Sequence, residues 1–202
     1  MKILVTGGAG YIGSHVVLLL CDEGHDIIVL DNLSLGSKEA VDKRAVFING
    51  SILNKEDLIK SLADVDAVIH LAAYKSAGES MQNPQKYSEH NVLGSMNLLR
   101  AMIEENVKNI IFSSSAAVYG LPEYLPLDEK HPLKPINHYG YTKLQTEKTI
   151  DLYGKEKQIS YTNLRYFNAA GYDALGRITS LEKNPANLIH SVMEEAPGKR
   201  NK

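Results

Sequence analysis

Three glycines at a fixed spacing near the amino terminus constrain the fold of this chain more than any other feature. The apolar run Lys2–Thr6 leads directly into Gly7, Gly10 and Gly13, and apolar residues at helical spacing follow. A strand, a glycine turn and a helix can together cradle a pyrophosphate, which needs free backbone N–H groups, a positive helix end and no Cβ in the way. Gly7 would make the tight turn, Gly10 the close phosphate approach and Gly13 the packing of helix on strand. A flexible turn is the alternative, but the flanking elements favour a dinucleotide site.

Apolar runs of strand length recur along the chain, separated by segments with helical spacing. The runs are Ile3–Thr6, Asp26–Leu30, Ala45–Ile48, Ala67–Leu71, Asn109–Ser113 and Ile159–Arg165. Such an alternation predicts a doubly wound α/β fold with a parallel sheet that helices cover on both faces. We expect a dinucleotide-binding Rossmann domain over residues 1–167. The alternation fades over 168–202, which the resemblance described below implies is the beginning of a smaller substrate-binding region.

Two later helices are predicted from their start and stop signals. Pro84 is expected as the first residue of a long helix that ends near Val107, because proline fits the first helical position. Another helix is expected from His138 to about Tyr153, with Gly154 as its stop.

The first helix and the single cysteine lie together near the amino terminus. Ile12, Val16 and Leu19 are spaced to share one helix face. Cys21 is expected in the core; a lone cysteine excludes an internal disulfide or a multi-cysteine metal site, and we expect no metal. The run Val16–Cys21 resembles an export signal, but the preceding glycines interrupt any continuous apolar core. We therefore expect a soluble, cytoplasmic protein without a membrane segment.

Composition argues against an intrinsically disordered protein, and net charge gives no support for a nucleic-acid or membrane partner. Apolar residues make up 44% and charged residues 23% of the chain, too apolar for an intrinsically disordered protein. The net charge is −2, so there is no electrostatic reason to expect nucleic acid or an anionic membrane as a partner.

The acidic residue at the end of the second apolar run indicates which dinucleotide would bind. Asp31 follows Gly13 by 18 residues, where a carboxylate can accept hydrogen bonds from the ribose hydroxyls of NAD and would repel the extra phosphate of NADP. An aspartate that only caps a loop is the alternative. We predict NAD rather than NADP.

Three polar residues suggest acid–base chemistry. Tyr139 and Lys143 are spaced i, i+4 on a predicted helix, so their side chains leave the same face. A phenol titrates near 10, and an adjacent ammonium together with an oxidised nicotinamide would lower that pKa enough for it to act as a base. Ser115 follows the fifth run, where ligands bind in open α/β sheets, and could orient a substrate hydroxyl. A chance pair and a helix-capping serine are the alternatives, and His70 is expected to be a packed histidine.

These motifs together resemble the extended short-chain dehydrogenase/reductase superfamily, and within it the UDP-glucose 4-epimerase family. The resemblance covers essentially the whole chain, and it is carried by VTGGAGYIGSH, VLDNLS, HLAAYKSAGES, HNVLGSMNLL, NVKNIIFSSSAAVYG, YGYTK and LRYFNAAG. It implies an isomerase of galactose metabolism that interconverts UDP-glucose and UDP-galactose through a transient 4-keto sugar on tightly bound NAD. It also implies a homodimer formed through the two long helices.

The resemblance implies roles for individual residues. The catalytic residues would be Ser115, Tyr139 and Lys143. The cofactor-binding residues would be Gly7, Gly10, Tyr11, Ile12, Gly13, Asp31, Asn32, Leu33, Ser34, Leu35, Gly36, Ser51, Ile52, Leu71, Ala72, Ala73, Lys75, Asn91, Tyr139, Lys143 and Phe167. The substrate would be held by Ser115, Tyr139, Asn168, Asn187 and Leu188.

The chain departs from the family pattern at one cofactor-binding position and in its length. Ser51 stands where the family has an aspartate beneath the adenine, and family members are longer, so the chain resembles an amino-terminal portion. Alternatives left open are a 4-epimerase of another UDP-sugar, such as an N-acetylhexosamine or a uronate, and an NAD-binding form without catalysis. A 4,6-dehydratase is disfavoured because Ala116 and Ala117 cannot transfer protons.

Overall fold

The computed structural model describes residues 1–178, whose sheet has six parallel strands in the order β3-β2-β1-β4-β5-β6. The strands are β1 (Lys2–Thr6), β2 (Asp26–Asp31), β3 (Val46–Asn49), β4 (Ala67–His70), β5 (Asn109–Ser113) and β6 (Ser160–Leu164). Each overlaps a predicted run with ends within about one residue, as apolar patterning allows. The chain crosses from one side of β1 to the other between β3 and β4, which confirms the doubly wound α/β fold and places the switch point beside β1.

Six α-helices connect the strands. They are α1 (Tyr11–Asp22), α2 (Lys55–Leu62), α3 (Ala77–Gln82), α4 (Pro84–Tyr87), α5 (Gly94–Glu104) and α6 (His138–Lys157). A π-helical segment, Ser88–Leu93, joins α4 to α5, so the long helix predicted from Pro84 is present and ends at Glu104. Helices α2 and α3 were not predicted, although each has a sequence signal: Asn54 caps the backbone N–H of Asp57 at 2.8 Å, and Ser76 caps that of Glu79 at 3.3 Å.

The face of α1 that packs against the sheet differs from the apolar stripe in its sequence. Leu19 is 60% exposed, whereas Val17 and Cys21 are buried. The reason is Gly13: a Cβ there would lie 2.2 Å from the carbonyl oxygen of Gly7. This close approach turns the helix so that Gly13, Val17 and Cys21, spaced four apart, meet the sheet. The core position expected for Cys21 is confirmed.

Gly154 does not end α6, as the sequence predicted, but lies within it. The helix continues to Lys157 and ends at Gln158, whose φ of 55° is left-handed. A Cβ on Gly154 would lie 2.5 Å from a ring carbon of Tyr161 on β6. This glycine therefore permits close packing of helix on strand rather than a helix stop.

The two faces of the sheet are covered unequally. Alternate residues of β1 divide between them: Leu4 joins the larger cluster with Leu98 and Phe112, and Val5 joins the cluster beneath α1. On the α1 side, however, Ile111 and Leu164 are 40% and 42% exposed. Within residues 1–178 this face is less covered at β5 and β6, because the helix that precedes β6 packs on the opposite face. No helix of this part of the chain is long and apolar enough to cross a membrane.

Candidate active site

A cleft of about 310 Å³ opens where the carboxyl ends of the strands meet the loops beside the switch point. The predicted residues that line it are Gly7, Gly10, Tyr11, Ile12, Gly13, Asp31, Asn32, Ser34, Leu35, Gly36, Ser51, Ile52, Leu71, Ala72, Ala73, Lys75, Ser115, Tyr139, Lys143, Phe167 and Asn168. Leu33 and Asn91 are not among its walls, and Asn187 and Leu188 lie outside the described residues. Residues far apart in sequence thus share one cleft.

The turn between β1 and α1 requires glycine, which has no Cβ atom, for two different reasons. Gly7 has a φ of +74°, and a Cβ there would lie 2.6 Å from the backbone nitrogen of Ala72, so only glycine fits. At Gly10 the nearest protein atom to a Cβ would be 3.4 Å away, so its missing side chain leaves room in the cleft. Gly10 is also the N-cap of α1, and no side chain caps that helix start. The first N–H groups of α1 can therefore serve an anionic ligand.

Asp31 ties the end of β2 to the glycine turn. Its carboxylate accepts hydrogen bonds from the backbone N–H of Ala9 at 3.0 Å and of Leu33 at 2.8 Å. Burial raises the pKa of this carboxyl, and the two N–H groups oppose the rise. Leu33 contributes through its backbone, in a left-handed conformation with φ 58°, which explains why its side chain is not in the cleft wall.

Ser51 forms part of the cleft wall as a turn residue. Its Oγ accepts a hydrogen bond from the backbone N–H of Leu53 at 3.2 Å, and its own N–H donates to Asp57 at 2.9 Å. A carboxylate is present next to this wall, but it comes from α2 and binds the backbone.

Asn91 lies behind the wall formed by residues 71–75. Its amide exchanges two hydrogen bonds of 2.9 Å with the backbone of Tyr74 and donates to Thr142 Oγ1 at 3.1 Å. Asn91 is buried and holds the wall in place from behind. In this structure its side chain does not reach the cleft that the sequence reasoning assigned to it.

The catalytic candidates meet at the other end of the cleft, where α6 crosses the end of β5. The Nζ atom of Lys143 donates to the carbonyl of Ser113 at 2.7 Å and lies 4.9 Å from the ring centroid of Phe112 and 5.9 Å from that of Tyr139. Tyr139 is hydrogen-bonded to Ser115. The three residues predicted to act together are therefore neighbours.

The electrostatics of this pair differ from the sequence expectation. Burial raises the pKa of Tyr139, and the hydrogen bond from Ser115 only opposes the rise. Burial also lowers the pKa of Lys143 to about 7, because a desolvated ammonium is unfavourable. The expectation that Lys143 lowers the pKa of the phenol is thus not met by the protein's own groups, because Lys143 is itself buried and donates to a carbonyl.

Sequence reasoning missed Tyr166 as a residue of the cleft. It lines the cleft, and its hydroxyl donates to Ser113 Oγ at 2.6 Å. Its position after a predicted strand end, like that of Ser115, was the available signal. Ser115 itself also caps the short 3-10 turn Ala116–Val118, which was the alternative interpretation of that serine.

His70 is a packed histidine, as predicted. Its ring nitrogens are hydrogen-bonded to Thr6 Oγ1 at 2.7 Å and Ser95 Oγ at 2.8 Å. Burial, with a smaller contribution from Lys143, lowers its pKa to about 3, so the ring is neutral. Among residues 1–178 there is no group of three His, Cys, Asp or Glu residues that could hold a metal ion.

Comparison with known proteins adds the family. The NAD dependent epimerase/dehydratase family matches residues 3–198. The chain belongs to this family. UDP-glucose 4-epimerase of Lactobacillus helveticus is 48% identical over 97% of the chain, and that of Halalkalibacterium halodurans is 46% identical over 99%. The chain spans 60% of the length of each of these relatives.

Solved structures of family members agree with the fold of this epimerase/dehydratase-family chain. UDP-glucose 4-epimerase from Brucella ovis in complex with NAD superimposes with a TM-score of 0.94 at 41% identity, covering 98% of this chain and 62% of that one. The enzyme from Bifidobacterium longum in complex with NAD⁺ and UDP gives a TM-score of 0.93 at 34% identity, covering 100% and 64%. The resemblance stated from the sequence motifs is confirmed.

Proposed function

We propose that this chain is the NAD-binding and catalytic part of an isomerase that interconverts UDP-glucose and UDP-galactose through a 4-keto sugar. The observation that carries the proposal is that Ser115, Tyr139 and Lys143 share one cleft with the glycine turn and Asp31. Several relatives that match nearly the whole chain are UDP-glucose 4-epimerases, which supports the choice of sugar nucleotide. Residues 1–167 would form the NAD-binding domain, and 168–202 would begin the substrate-binding region.

The cleft fits NAD on the geometry of its glycine turn. The turn presents uncapped N–H groups beside a gap that a Cβ at Gly10 would fill, and Asp31 lies where ribose hydroxyls could donate to its carboxylate. Bound NAD⁺ would supply a hydride acceptor and donor for C4 of the sugar, and a positive charge near the phenol. The other holding residues are those assigned from the resemblance, with Leu33 acting through its backbone and Asn91 from behind the wall.

The chain's own residues would carry the proton transfer. Tyr139, as phenolate, would take the proton of the sugar 4-hydroxyl and return it after the 4-keto sugar has turned over in the cleft. Ser115 would orient that hydroxyl toward Tyr139. Lys143, in its protonated form, would place a positive charge near the phenol, in a site where desolvation strengthens the interaction. Burial raises the pKa of Tyr139, and the positive charges of Lys143 and of bound NAD⁺ would both oppose that rise.

Residues after β6 would hold the rest of the substrate. Phe167 and Asn168 line the cleft beside Tyr166, in reach of a sugar nucleotide at the strand ends. Asn187 and Leu188 would hold the diphosphate and uridine. Nucleotide contacts away from C4 would keep the keto sugar bound while it turns.

The test is conversion of UDP-galactose to UDP-glucose with NAD⁺, comparing the chain with Tyr139→Phe and Tyr141→Phe. Tyr141 lies on the same helix but is 55% exposed, so it controls for removal of a phenol. We expect activity to be lost only with Tyr139→Phe. Faster conversion of UDP-N-acetylgalactosamine or of a UDP-uronate would replace the proposed substrate, and NAD binding without any conversion would support a non-catalytic NAD protein.

We also propose that the protein is a cytoplasmic homodimer that acts in galactose metabolism. The helical faces from Pro84 to Glu104 and of α6 expose Leu93, Tyr141 and Leu152, which supports an apolar contact between two copies. Light scattering would give the mass in solution, and a monomer at micromolar concentration would contradict the dimer. Growth on galactose after deletion of the gene would test the metabolic role.

A further inference from the structure

Glu147 is a buried carboxylate that neither the sequence motifs nor the proposed chemistry uses. It lies on α6 one helical turn after Lys143 and is only 4% exposed. It accepts hydrogen bonds from Ser114 Oγ and from both Nε and Nη2 of Arg165, at 2.9 and 2.6 Å for the two arginine atoms. A charge this deeply buried requires partners of this kind.

The two partners of Glu147 sit at the ends of two different strands. Ser114 follows β5 directly, between Ser113 and Ser115, and Arg165 follows β6 directly, before Tyr166. The guanidinium of Arg165 also lies 5.3 Å from the ring centroid of Tyr119. One carboxylate on α6 therefore holds the two strand ends that carry the polar groups of the catalytic end.

The catalytic contacts depend on those same segments. Lys143 of α6 donates to the carbonyl of Ser113 at 2.7 Å, and Tyr166 donates to Ser113 Oγ at 2.6 Å. Each of these hydrogen bonds joins two of the three segments that meet at Glu147. A shift of either strand end relative to α6 would lengthen them.

Stability alone does not explain a buried ion pair of this kind. The desolvation of two charges offsets much of their attraction, and well-packed apolar replacements are often as stable or more so. Glu147 has a further effect, because it is the anion whose charge favours protonated Lys143 against the effect of burial. The titratable or charged groups close to this lysine and carboxylate are Tyr139, His70, Tyr166 and Arg165.

We propose that Glu147 is a positioning residue of the catalytic end: by binding Ser114 and Arg165 together it holds the ends of β5 and β6 against α6. In this arrangement Lys143 stays in place near Tyr139, which is hydrogen-bonded to Ser115. The proposal rests on the proposed function only for the role of those three residues.

The test is an NMR titration of the Lys143 side-chain nitrogen in the full 202-residue chain, with Lys143→Met to assign the signal. In Glu147→Gln we expect the pKa of Lys143 to fall by about one unit, because an opposite charge within one helical turn is removed. Glu156→Gln makes the same change at an exposed position of α6 and should leave the titration unchanged. An unchanged titration in Glu147→Gln would overturn the proposal.

A double variant separates positioning from folding. Glu147→Gln alone leaves the partly buried Arg165 without its carboxylate partner and is expected to destabilise the chain, whereas Glu147→Gln with Arg165→Gln removes both charges. We expect the double variant to regain stability to urea while its affinity for NAD stays weakened. Recovery of NAD affinity together with stability would show that Glu147 acts only through folding, and would overturn the proposal.

NAD binding provides the second measurement. We expect Glu147→Gln and the double variant to weaken NAD about tenfold, equivalent to ~1.4 kcal/mol, and Glu156→Gln to have no effect. NAD affinity unchanged in the double variant would contradict the positioning of the cleft walls. If the unsubstituted chain binds no NAD, the proposed function fails, while the titration of Lys143 still decides the role of Glu147.

Discussion

The two ends of the cleft are formed by different kinds of groups, main chain at one end and side chains at the other. At the phosphate end the site is made of main chain: Gly7, Gly10 and Gly13 contribute by having no side chain, and the helix start has no side-chain cap. At the catalytic end it is made of buried polar side chains, with Lys143 and Glu147 satisfied by groups from other segments.

This difference teaches which changes each end can accept. At Gly7 and Gly13 the backbone cradle fails when an atom is added, since the nearest neighbours of a Cβ there are backbone atoms that cannot move aside. A side-chain network fails when an atom is removed, because a buried donor or acceptor is then left without a partner. The expected effects below follow this distinction, from the largest to the smallest.

Removal of the buried ammonium tests the catalytic end most directly. If the chain catalyses the proposed epimerisation, we expect Lys143→Met to lower its rate about a thousandfold, a loss in the range typical for acid–base groups, while the chain stays folded because methionine fills the buried site without a charge. Lys148→Met, on an exposed position of α6, is the control. Equal rates for the two variants would remove Lys143 from the mechanism.

Addition of one methyl group tests the phosphate end. In Gly13→Ala the new Cβ would meet the carbonyl oxygen of Gly7 at 2.2 Å, so α1 must move away and NAD affinity should fall about 100-fold, or ~2.7 kcal/mol. Gly78→Ala is the matched control, because nothing lies within 4 Å of a Cβ there. Isothermal titration with NAD measures both, and tight binding by Gly13→Ala would contradict a cradle limited by the backbone.

The neutral His70 makes stability depend on pH. Its pKa is lowered to about 3 in the folded chain, against ~6.5 unfolded, so the unfolded state binds the proton first as pH falls. The stabilisation is complete above pH 6.5 and is lost toward pH 3, which amounts to about 2 kcal/mol between pH 6.5 and 5. Urea unfolding at several pH values should show that the free energy of unfolding falls less steeply as the pH is lowered in His70→Gln, and as steeply as in the unsubstituted chain in His25→Gln.

The smallest effect concerns the choice of dinucleotide. Asp31→Ala should bring the affinities for NAD and NADP closer together by about tenfold, or ~1.4 kcal/mol, because the carboxylate that favours ribose hydroxyls and repels a phosphate is gone. Competition binding with both dinucleotides measures it. Tighter binding of NADP than NAD by the unsubstituted chain would show that Asp31 does not select.

The sequence predicted the features that depend on local patterns and missed those that depend on contacts between distant residues. The glycine turn, Asp31 and the strands are local patterns, and all are where the motifs predicted them. The buried face of α1 and the role of Gly154 depend on close approaches to Gly7 and Tyr161, which no local pattern contains. Glu147 and Tyr166 were missed because their roles depend on hydrogen bonds to distant residues. Glu147 binds Ser114, 33 residues away in sequence, and Tyr166 binds Ser113, 53 residues away.

Strand β6 forms one border of the sheet over the described residues, and Leu164 on it is 42% exposed, as Ile111 is on its neighbour. A border strand presents unpaired peptide groups to any extended segment that comes near, and exposed apolar side chains beside it favour that association. Concentrated solutions of this polypeptide should therefore self-associate through this border. Leu164→Lys should then keep the preparation in solution at a higher concentration.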